Sequence, residues 1–316
     1  MTKADSIGDS SQLFFSIVTP TYNRVRLLER LYQSLVDQRF SSMEWVVVDD
    51  GSLDGTETLM RRLQSESPFP IVYQWQKNGG KHRALNHALQ LCRGRFFVDI
   101  DSDDYFLPGA LQAYHQLWQD LPPARQTALG GMVADCVHVD GRTVGRPFPQ
   151  DRMITNSIAL RARLKVRGDK LYLYKLDVAQ QFPSPEFPGE HFMQESVRHR
   201  RIARSYDLLA TTHAGRVKDY QSDGLSAEAS GRLPNSLRNP RGYRLRTLEA
   251  TNFRAKENWR ELWKECANYV RFSFHCGESL PEQARQVDSK VLWALSVPVG
   301  YARYRRDLRR FPQLSG

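Results

Sequence analysis

Four aspartates follow a short apolar run, and the segment reads Phe96-Phe97-Val98-Asp99-Ile100-Asp101-Ser102-Asp103-Asp104. Carboxylates at the end of a buried strand are costly unless a cation neutralises them. Carboxylate oxygens suit Mg²⁺ or Mn²⁺, and a metal held by only one or two of them keeps positions open for phosphate oxygens. The segment therefore predicts a metal and diphosphate site at the carboxyl end of a strand. The alternative, an acidic loop in which Ser102 or Asp104 caps a helix, accounts for one carboxylate only.

The elements that must position this segment alternate between strands and helices. Apolar, β-branched runs predict strands at 13–19, 44–48, 70–76, 95–99 and 130–139. Apolar residues at helical spacing, such as Leu28, Leu31 and Leu35, predict the intervening helices. Pro20 is expected to stop the first strand, and Asn23 and Asp54 to cap the two helices that follow. Alternation of this kind predicts an α/β fold with parallel pairing and ligands at the carboxyl ends of the strands.

Beyond this region the pattern changes twice. An irregular stretch rich in arginine and proline is followed by helix formers, and we place a soft boundary near residue 230. Residues 1–12 are polar and predict a disordered lead-in without the features of a signal peptide. The expected organisation is therefore a lead-in at 1–12, one catalytic domain at 13–230 and a helical C-terminal subdomain at 231–316.

Composition limits the class of protein. The 316 residues are 41% hydrophobic and carry a formal net charge of +10, which favours an anionic partner such as nucleic acid, a membrane surface or a phosphorylated substrate. The four cysteines form no Cys-x-x-Cys pair, so we expect reduced thiols in a cytosolic protein. The most apolar C-terminal run, 291–302, is too short to span a bilayer, so an integral membrane protein is not expected.

Four motifs in order resemble family 2 of the inverting glycosyltransferases, nucleotide-sugar enzymes with the GT-A fold. They are Val18-Thr19-Pro20-Thr21-Tyr22-Asn23, Val46-Val47-Val48-Asp49-Asp50-Gly51-Ser52, the turn Asn78-Gly79-Gly80-Lys81, and Asp101-Ser102-Asp103-Asp104. The resemblance is strong over 14–120, moderate to about 226 and weak in the helical tail. It implies a Rossmann-like mixed, mostly parallel sheet flanked by helices.

The resemblance also implies a donor site. Pro20 and Tyr22 would flank the nucleoside base, Asp49 or Asp50 would accept a hydrogen bond from its ring N–H, and Lys81 would meet the diphosphate or the ribose. An Asp-Gly turn and a solvated turn before a helix remain the alternatives for Asp50 and Lys81.

The aspartate segment matches the family's Asp-x-Asp motif. By this analogy Asp103 binds Mn²⁺ or Mg²⁺, Asp101 with the neighbouring Ser102 contacts the ribose or sugar, and Asp104 supports them. Asp99 is expected to be a structural residue of the strand end. The metal would bridge the diphosphate and stabilise the charge on the departing nucleotide.

The acceptor hydroxyl needs a carboxylate base, because an unassisted alcohol is a poor nucleophile at neutral pH. The family places this base in an acidic pair late in the domain, and the matching stretch reads Gln194-Glu195-Ser196. We therefore assign Glu195 as the base, with Glu190 as the second candidate and an exposed glutamate at a helix start as the alternative. His213 could add a metal ligand, although a structural histidine is favoured. Asp223-Gly224-Leu225-Ser226 resembles the family's loop that closes over the diphosphate.

The predicted function is therefore transfer of one sugar, with inversion, from a nucleoside-diphosphate sugar to a hydroxyl of a glycan or lipid-linked acceptor. A UDP-sugar is favoured as the donor, and the Gln-x-x-Arg-Trp signature of processive synthases is absent. A metal-dependent nucleotidyltransferase is the alternative enzyme, but the first loop lacks its glycines. A nucleic-acid-binding protein is disfavoured because the aspartates would repel phosphate. A dinucleotide-binding oxidoreductase is excluded by the absence of a Gly-x-Gly-x-x-Gly motif.

The C-terminal segment carries five arginines interleaved with aromatic residues, namely Arg303, Arg305, Arg306, Arg309 and Arg310. Two interpretations stay open. The segment lies on the anionic inner face of a membrane and brings a cytoplasmic enzyme to a lipid-linked acceptor, or it is a solvated helix face.

Overall fold

The computed structural model describes residues 13–221, 233–253 and 259–314. The predicted lead-in at 1–12, the domain boundary near 230 and the loop Asp223-Gly224-Leu225-Ser226 lie outside these residues. The strands described are β1 (Phe15–Thr21), β2 (Met43–Asp49), β3 (Ile71–Trp75), β4 (Phe96–Asp99), β5 (Tyr105–Phe106), β6 (Gly131–His138), β7 (Met153–Thr155), β8 (Leu171–Lys175) and β9 (Leu208–Lys218).

Thirteen α-helices are described in the same residues. They are α1 (Val25–Val36), α2 (Thr56–Glu66), α3 (Lys81–Leu91), α4 (Ala110–Gln119), α5 (Pro123–Ala128), α6 (Ser157–Ala162), α7 (Leu176–Gln181), α8 (Ser196–Ile202), α9 (Asn235–Arg238), α10 (Pro240–Asn252), α11 (Trp259–His275), α12 (Leu280–Gln286) and α13 (Lys290–Arg310).

The nine strands of the described residues form one mixed sheet in the order β3-β2-β1-β4-β8-β6-β9-β5, with β7 paired to β9. Strands β1 to β4, β6 and β9 run in one direction, whereas β5, β7 and β8 run in the other. The expectation of a mixed, mostly parallel sheet flanked by helices is therefore confirmed. Because β1, β2 and β4 are parallel neighbours, their carboxyl ends meet at one edge.

The two faces of the sheet pack against different helices. Successive residues of a strand point to opposite faces, and Ile17 accordingly lies in the core with α1 while Val18 lies in the core with α3. The helical faces predicted from spacing supply the rest, with Leu28, Leu31 and Leu35 all fully buried. The sheet is thus covered by helices on both sides.

The expected ends of β1 and α1 need correction. Strand β1 continues through Pro20 to Thr21. Pro20 is tolerated because β1 stops pairing with β4 after Val18, so the missing N–H leaves no gap in the ladder. Asn23 does not cap α1, since its side chain instead accepts the N–H of Leu53 at 2.8 Å.

Asp54 does act at a helix start, but its position differs from the expected one. The N-cap of α2 is Gly55, while the Asp54 carboxylate accepts the N–H of Thr56 at 3.3 Å and that of Val25 at 2.9 Å. One carboxylate therefore serves the first turns of both α1 and α2.

The C-terminal helices pack on one another. Tyr269 and Val270 of α11 are fully buried, and Gly300 of α13 lies so close to Val270 that a Cβ there would clash with it. Helices are therefore present at the C-terminus as expected. All four cysteines are free thiols. Among the described residues, none of the helices combines the length and apolarity needed to cross a bilayer.

Candidate active site

A cavity of about 1140 Å³ opens at the carboxyl ends of β1, β2 and β4. The predicted site residues that line it are Pro20, Tyr22, Asp50, Lys81, Asp101, Ser102, Asp103 and Glu195. Asp49 is absent from this lining and is 1% exposed. The tertiary structure therefore brings together residues from strand ends, from the start of α3 and from the start of α8.

Two of the aspartates are neutralised by cations of the chain itself. Arg216 Nη2 lies 2.9 Å from Asp101 Oδ2, and Arg216 Nε donates to Asp104 Oδ2 at 2.7 Å. Lys218 Nζ lies 3.1 Å from Asp101 and 3.0 Å from Asp104. The expectation that a cation neutralises the aspartates is therefore met in part by the chain itself, because β9 supplies two positive charges.

Asp103 remains without such a partner. Among the described residues no side chain donates a hydrogen bond to its carboxylate, which lines the cavity. Burial, followed by the charges of Asp101 and Asp104, raises the pKa of Asp103. Carboxylate oxygens of these three residues lie within 4.8 Å of one another. Asp103 is the one carboxylate of the three that forms no ion pair among the described residues, so these residues fit a divalent metal held by Asp103 and Asp101.

Arg216 and Lys218 were not predicted from the sequence. They alternate with Val217 on β9, and this period of two places both cations on one face of the strand. The alternation alone could have predicted a basic face, although not that the face meets the aspartates.

Asp50 holds the turn Asn78-Gly79-Gly80-Lys81 in place. Its carboxylate accepts the N–H groups of Gly79 at 2.8 Å and Gly80 at 2.7 Å, and it also accepts from Gln76 Nε2 at 2.8 Å. Gly80 has a φ of +97°, and a Cβ at this position would overlap the carbonyl oxygen of His191. The turn therefore requires glycine at residue 80, and Asp50 fixes the position of Lys81.

The carboxylate of Asp49 likewise accepts hydrogen bonds from neighbouring residues. It accepts the N–H of Ser52 and the hydroxyl of Tyr73, both at 2.8 Å. Burial and the hydrogen bond to Asp49 raise the pKa of Tyr73. Tyr22 is 50% exposed at the cavity mouth, so its ring is accessible to a ligand.

Lys81 connects the aspartates to the predicted base. Its Nζ lies 2.5 Å from Glu195 Oε1 and also pairs with Asp101 Oδ1. Burial opposes the charge on Lys81, but Asp101 and Glu195 outweigh it and raise the pKa. Lys81 is in turn the main reason why the pKa of Glu195 is lowered. Glu195 is therefore a carboxylate at neutral pH.

His199 is a further cavity residue that the sequence did not predict. It lies one helical turn after Glu195 on α8, stacks on Tyr172 at 3.9 Å between ring centroids, and bonds Tyr174 through Nδ1 at 2.9 Å. Burial lowers its pKa to about 4. His199 is therefore neutral at physiological pH and adds no charge beside Glu195.

The two remaining candidates from the sequence, Glu190 and His213, lie outside the cavity lining. Both carboxylate oxygens of Glu190 accept backbone N–H groups at the start of α10, from Arg241 at 2.7 Å and Gly242 at 2.9 Å. His213 is exposed on β9, contacts the ring of Tyr114 edge-on, and is absent from both the cavity lining and the aspartate cluster. Glu190 therefore serves as a helix cap, and His213 lies away from the proposed metal ligands.

Comparison with known proteins bears on this arrangement. The sequence profile described as "Glycosyl transferase family 2" matches residues 16–129, the part of the chain that contains β1, β2, β4 and all four motifs. Residues 16–129 belong to glycosyl transferase family 2.

Curated relatives match this glycosyltransferase segment. The chain is 34% identical over 106 residues to GalNAc(5)-diNAcBac-PP-undecaprenol beta-1,3-glucosyltransferase of Campylobacter jejuni, which is 32% of this chain and 33% of that protein. It is 34% identical over 89 residues to the putative teichuronic acid biosynthesis glycosyltransferase TuaG of Bacillus subtilis, covering 28% of this chain and 35% of the relative. The chain thus spans about a third of the length of these relatives.

Solved structures resemble a larger part of the chain. Staphylococcus aureus TarS 1–349 in complex with UDP-GlcNAc matches with a TM-score of 0.57 at 18% identity, covering 95% of this chain and 92% of that one. Mannosyltransferase PcManGT of Pyrobaculum calidifontis, in complex with GDP-Man and Mn²⁺, matches with a TM-score of 0.53 at 20% identity, covering 93% and 84%. These likenesses confirm the GT-A architecture expected from the sequence.

The glycosyltransferase segment contains only part of the cavity. Pro20, Lys81 and Asp103 lie inside it, whereas Glu195 and Arg216 lie beyond residue 129. The wall that carries the predicted base is therefore contributed by the later part of the chain.

Proposed function

We propose that this protein is an inverting glycosyltransferase that moves one sugar from a nucleoside-diphosphate sugar, preferably a UDP-sugar, to a hydroxyl of a glycan or lipid-linked acceptor. One observation carries the proposal. A single cavity joins the strand-end motifs, the Asp101 to Asp104 cluster and the carboxylate of Glu195. That arrangement supports a donor site and a base within one space, as a single displacement requires.

The donor would occupy the part of the cavity at the strand ends. Tyr22 and Pro20 offer surface for the nucleoside base, while Lys81, Arg216 and Lys218 offer positive charge for the diphosphate. Asp50 acts by fixing the turn, because its oxygens already accept two backbone N–H groups. Asp49 likewise already accepts two hydrogen bonds, from Ser52 and Tyr73, and it does not line the cavity.

The reaction is one displacement. The acceptor oxygen forms a bond to the anomeric carbon while the bond from that carbon to the diphosphate oxygen breaks, and Glu195 takes the proton of the acceptor hydroxyl. Attack opposite the leaving group inverts the configuration. Asp103, with Asp101, would hold Mn²⁺ or Mg²⁺, which supplies positive charge for the departing diphosphate. Lys81 and Lys218 stabilise the same developing charge.

A membrane-surface position is part of the proposal. Helix α13 exposes a single stripe that is apolar in its first half and basic in its second, formed by Val291, Ala294, Leu295, Pro298, Tyr301, Ala302, Arg305, Arg306, Arg309 and Arg310. Val291 is 72% exposed and Leu295 is 66% exposed. An apolar half can enter the interface of a bilayer while arginines bind anionic headgroups. We therefore place the enzyme at the cytoplasmic face of a membrane that holds a lipid-linked acceptor.

The proposed function is tested by thermal shift of the full chain against nucleoside diphosphates and nucleotide sugars, with and without Mn²⁺. We expect a UDP-sugar to raise the melting temperature more in the presence of Mn²⁺ than in its absence. A panel in which none of the nucleotides raises the melting temperature in a metal-dependent way would refute the proposal. Product analysis by NMR then identifies the anomeric configuration, and retention would refute inversion.

A further inference from the structure

A second part of the cavity wall is rich in arginine. Helices α6, α8, α9 and α10 and the loop at 163–170 contribute it, and we name it the arginine wall, defined by Arg161, Arg167, Arg200, Arg238 and Arg246. None of these residues belongs to the family motifs, and the donor site described above does not use them.

The positive charge of the arginine wall exceeds the negative charge around it. The acids lining this part of the cavity are Glu265 and Asp169. Glu265 pairs with Arg246 at 2.5 Å, and Asp169 accepts from the Tyr220 hydroxyl at 3.0 Å. Within the described part of the chain, the guanidinium groups of Arg161, Arg167 and Arg200 form no ion pair with a carboxylate.

Arg200 shows this excess most clearly. Its Nη1 donates to the backbone carbonyl of Arg246 at 3.2 Å, and no carboxylate of the described residues forms an ion pair with it. Burial, followed by the neighbouring charge of Arg246, lowers the pKa of Arg200, while the more distant Glu265 and Glu249 oppose this effect only in part. A guanidinium in such surroundings gains from any anion that enters the cavity.

Arg200 and Arg161 lie on the side of the cavity that holds the proposed base. Helix α8 begins directly after Glu195, so Arg200 follows it by about 7.5 Å along the helix axis. Helix α6 is fixed to α8 by a hydrogen bond from Ser157 Oγ to the His199 carbonyl at 2.9 Å. Arg161 is one turn after Ser157 and therefore shares its face of α6.

We infer that the acceptor carries a phosphate group, as a phosphodiester or a pyrophosphate ester, that Arg161 and Arg200 bind while Glu195 activates a hydroxyl of the same molecule. This inference rests on the proposed function and narrows its acceptor class. Guanidinium groups bind phosphate oxygens through paired N–H donors. Several guanidinium groups around one site therefore suit a ligand with the several charged oxygens of phosphate groups better than a ligand with one carboxylate.

The test measures binding by calorimetry to the full chain with saturating UDP and Mn²⁺, which occupy the donor site. The probes are a short glycerol phosphate oligomer for phosphodiesters, a short-chain prenyl pyrophosphoryl sugar for pyrophosphate esters, a glucuronate-containing disaccharide for carboxylates and a neutral disaccharide. The variants are wild type, Arg161→Gln/Arg200→Gln, and Arg163→Gln as the matched control. Arg163 is an exposed arginine that ends the same helix and does not line the cavity.

We expect one of the two phosphate probes to bind wild type and Arg163→Gln with equal affinity and Arg161→Gln/Arg200→Gln at least about tenfold more weakly. Which of the two binds more tightly identifies the source of the phosphate. The inference is overturned if neither phosphate probe binds, if the glucuronate or neutral disaccharide binds as tightly, or if the double variant binds like wild type. UDP binding in the presence of Mn²⁺ is read separately in every variant, so loss of the donor site itself is distinguished from failure of this inference.

Discussion

Lys81 Nζ lies 2.5 Å from Glu195 Oε1, so the last residue of the glycine turn and the proposed base form one ion pair. Lys81 also pairs with Asp101, which links the base to the aspartate cluster. Asp50 fixes the turn that presents Lys81 by accepting the N–H groups of Gly79 and Gly80. The proposed donor side and the proposed acceptor side of the cavity are therefore linked through a single ammonium group.

Replacing Glu195 with Gln removes the proton acceptor while keeping the shape of the side chain. We expect sugar transfer to fall by about 10²- to 10⁴-fold, since this is the range that general bases contribute. Donor affinity, measured by calorimetry with UDP and Mn²⁺, should stay within a few-fold of wild type. The control is Glu186→Gln, because Glu186 is exposed and does not line the cavity. Full turnover by Glu195→Gln would move the base to another residue.

Replacing Lys81 with Met should raise the pKa of Glu195. Lys81 is the main cause that lowers this pKa, while burial and Asp101 act in the opposite direction. In wild type Glu195 is ionised down to a pH below its ordinary pKa. The acidic limb of the pH profile of kcat/KM therefore lies at low pH. In the variant the carboxylate is protonated as pH falls through a higher pKa, and the limb should move to higher pH.

Carbon-13 NMR titration of the Glu195 carboxyl, assigned with Glu195→Gln, measures the same shift without requiring activity. Lys77→Met is the control, since Lys77 is exposed and does not line the cavity. An unchanged titration of Glu195 in Lys81→Met would contradict the role given to this ion pair.

Asp103→Ala should abolish the metal dependence of donor binding. Its carboxylate is free of side-chain donors among the described residues, and removing it takes away the group best placed to hold Mn²⁺. In the presence of UDP, Mn²⁺ should no longer raise the melting temperature of the variant further. Asp140→Ala, in which the lost carboxylate pairs with Arg142 away from the cavity, should keep it. Persistence of the Mn²⁺ effect in Asp103→Ala would place the metal elsewhere.

Gly80→Ala and Gly55→Ala form a matched pair of stability variants. Both glycines have positive φ, +97° and +88°, but a Cβ at residue 55 meets open space, whereas one at residue 80 overlaps the His191 carbonyl. We expect Gly55→Ala to lower the free energy of unfolding by about 1–2 kcal/mol through backbone strain alone. Gly80→Ala should cost about 1–3 kcal/mol more, because the backbone must shift. Chemical denaturation measures both, and equal losses would contradict the steric argument.

Neutralising the arginines at the end of α13 should release the protein from anionic vesicles. Each exposed arginine near a membrane contributes about 1 kcal/mol, so replacing Arg305, Arg306, Arg309 and Arg310 with Gln should reduce the partition coefficient by roughly 10²- to 10³-fold. Co-sedimentation with vesicles containing phosphatidylglycerol measures the effect. Vesicles of phosphatidylcholine alone are the control, and absence of binding to either kind of vesicle would favour a solvated helix face instead.

Local sequence determined the parallel part of the sheet and the proposed donor half of the site. Pro20, Lys81 and Asp103 could be placed because each lies at or just after the end of a strand or turn that its own neighbours specify, and parallel strands bring their carboxyl ends to one edge. Side-chain periodicity likewise predicted the buried faces of α1 and α3, since Leu31 and Leu85 recur at helical spacing.

Only the tertiary structure decided what these residues touch. Arg216 and Lys218 lie more than a hundred positions after Asp101, and their pairing depends on where β9 lies in the sheet, which the local pattern does not encode. For the same reason the sequence could not show that Glu190 caps α10 or that Lys81 pairs with Glu195. A carboxylate has the same chemistry whether it serves as a base, a helix cap or a metal ligand. Its role follows from the donors and charges that the fold places beside it.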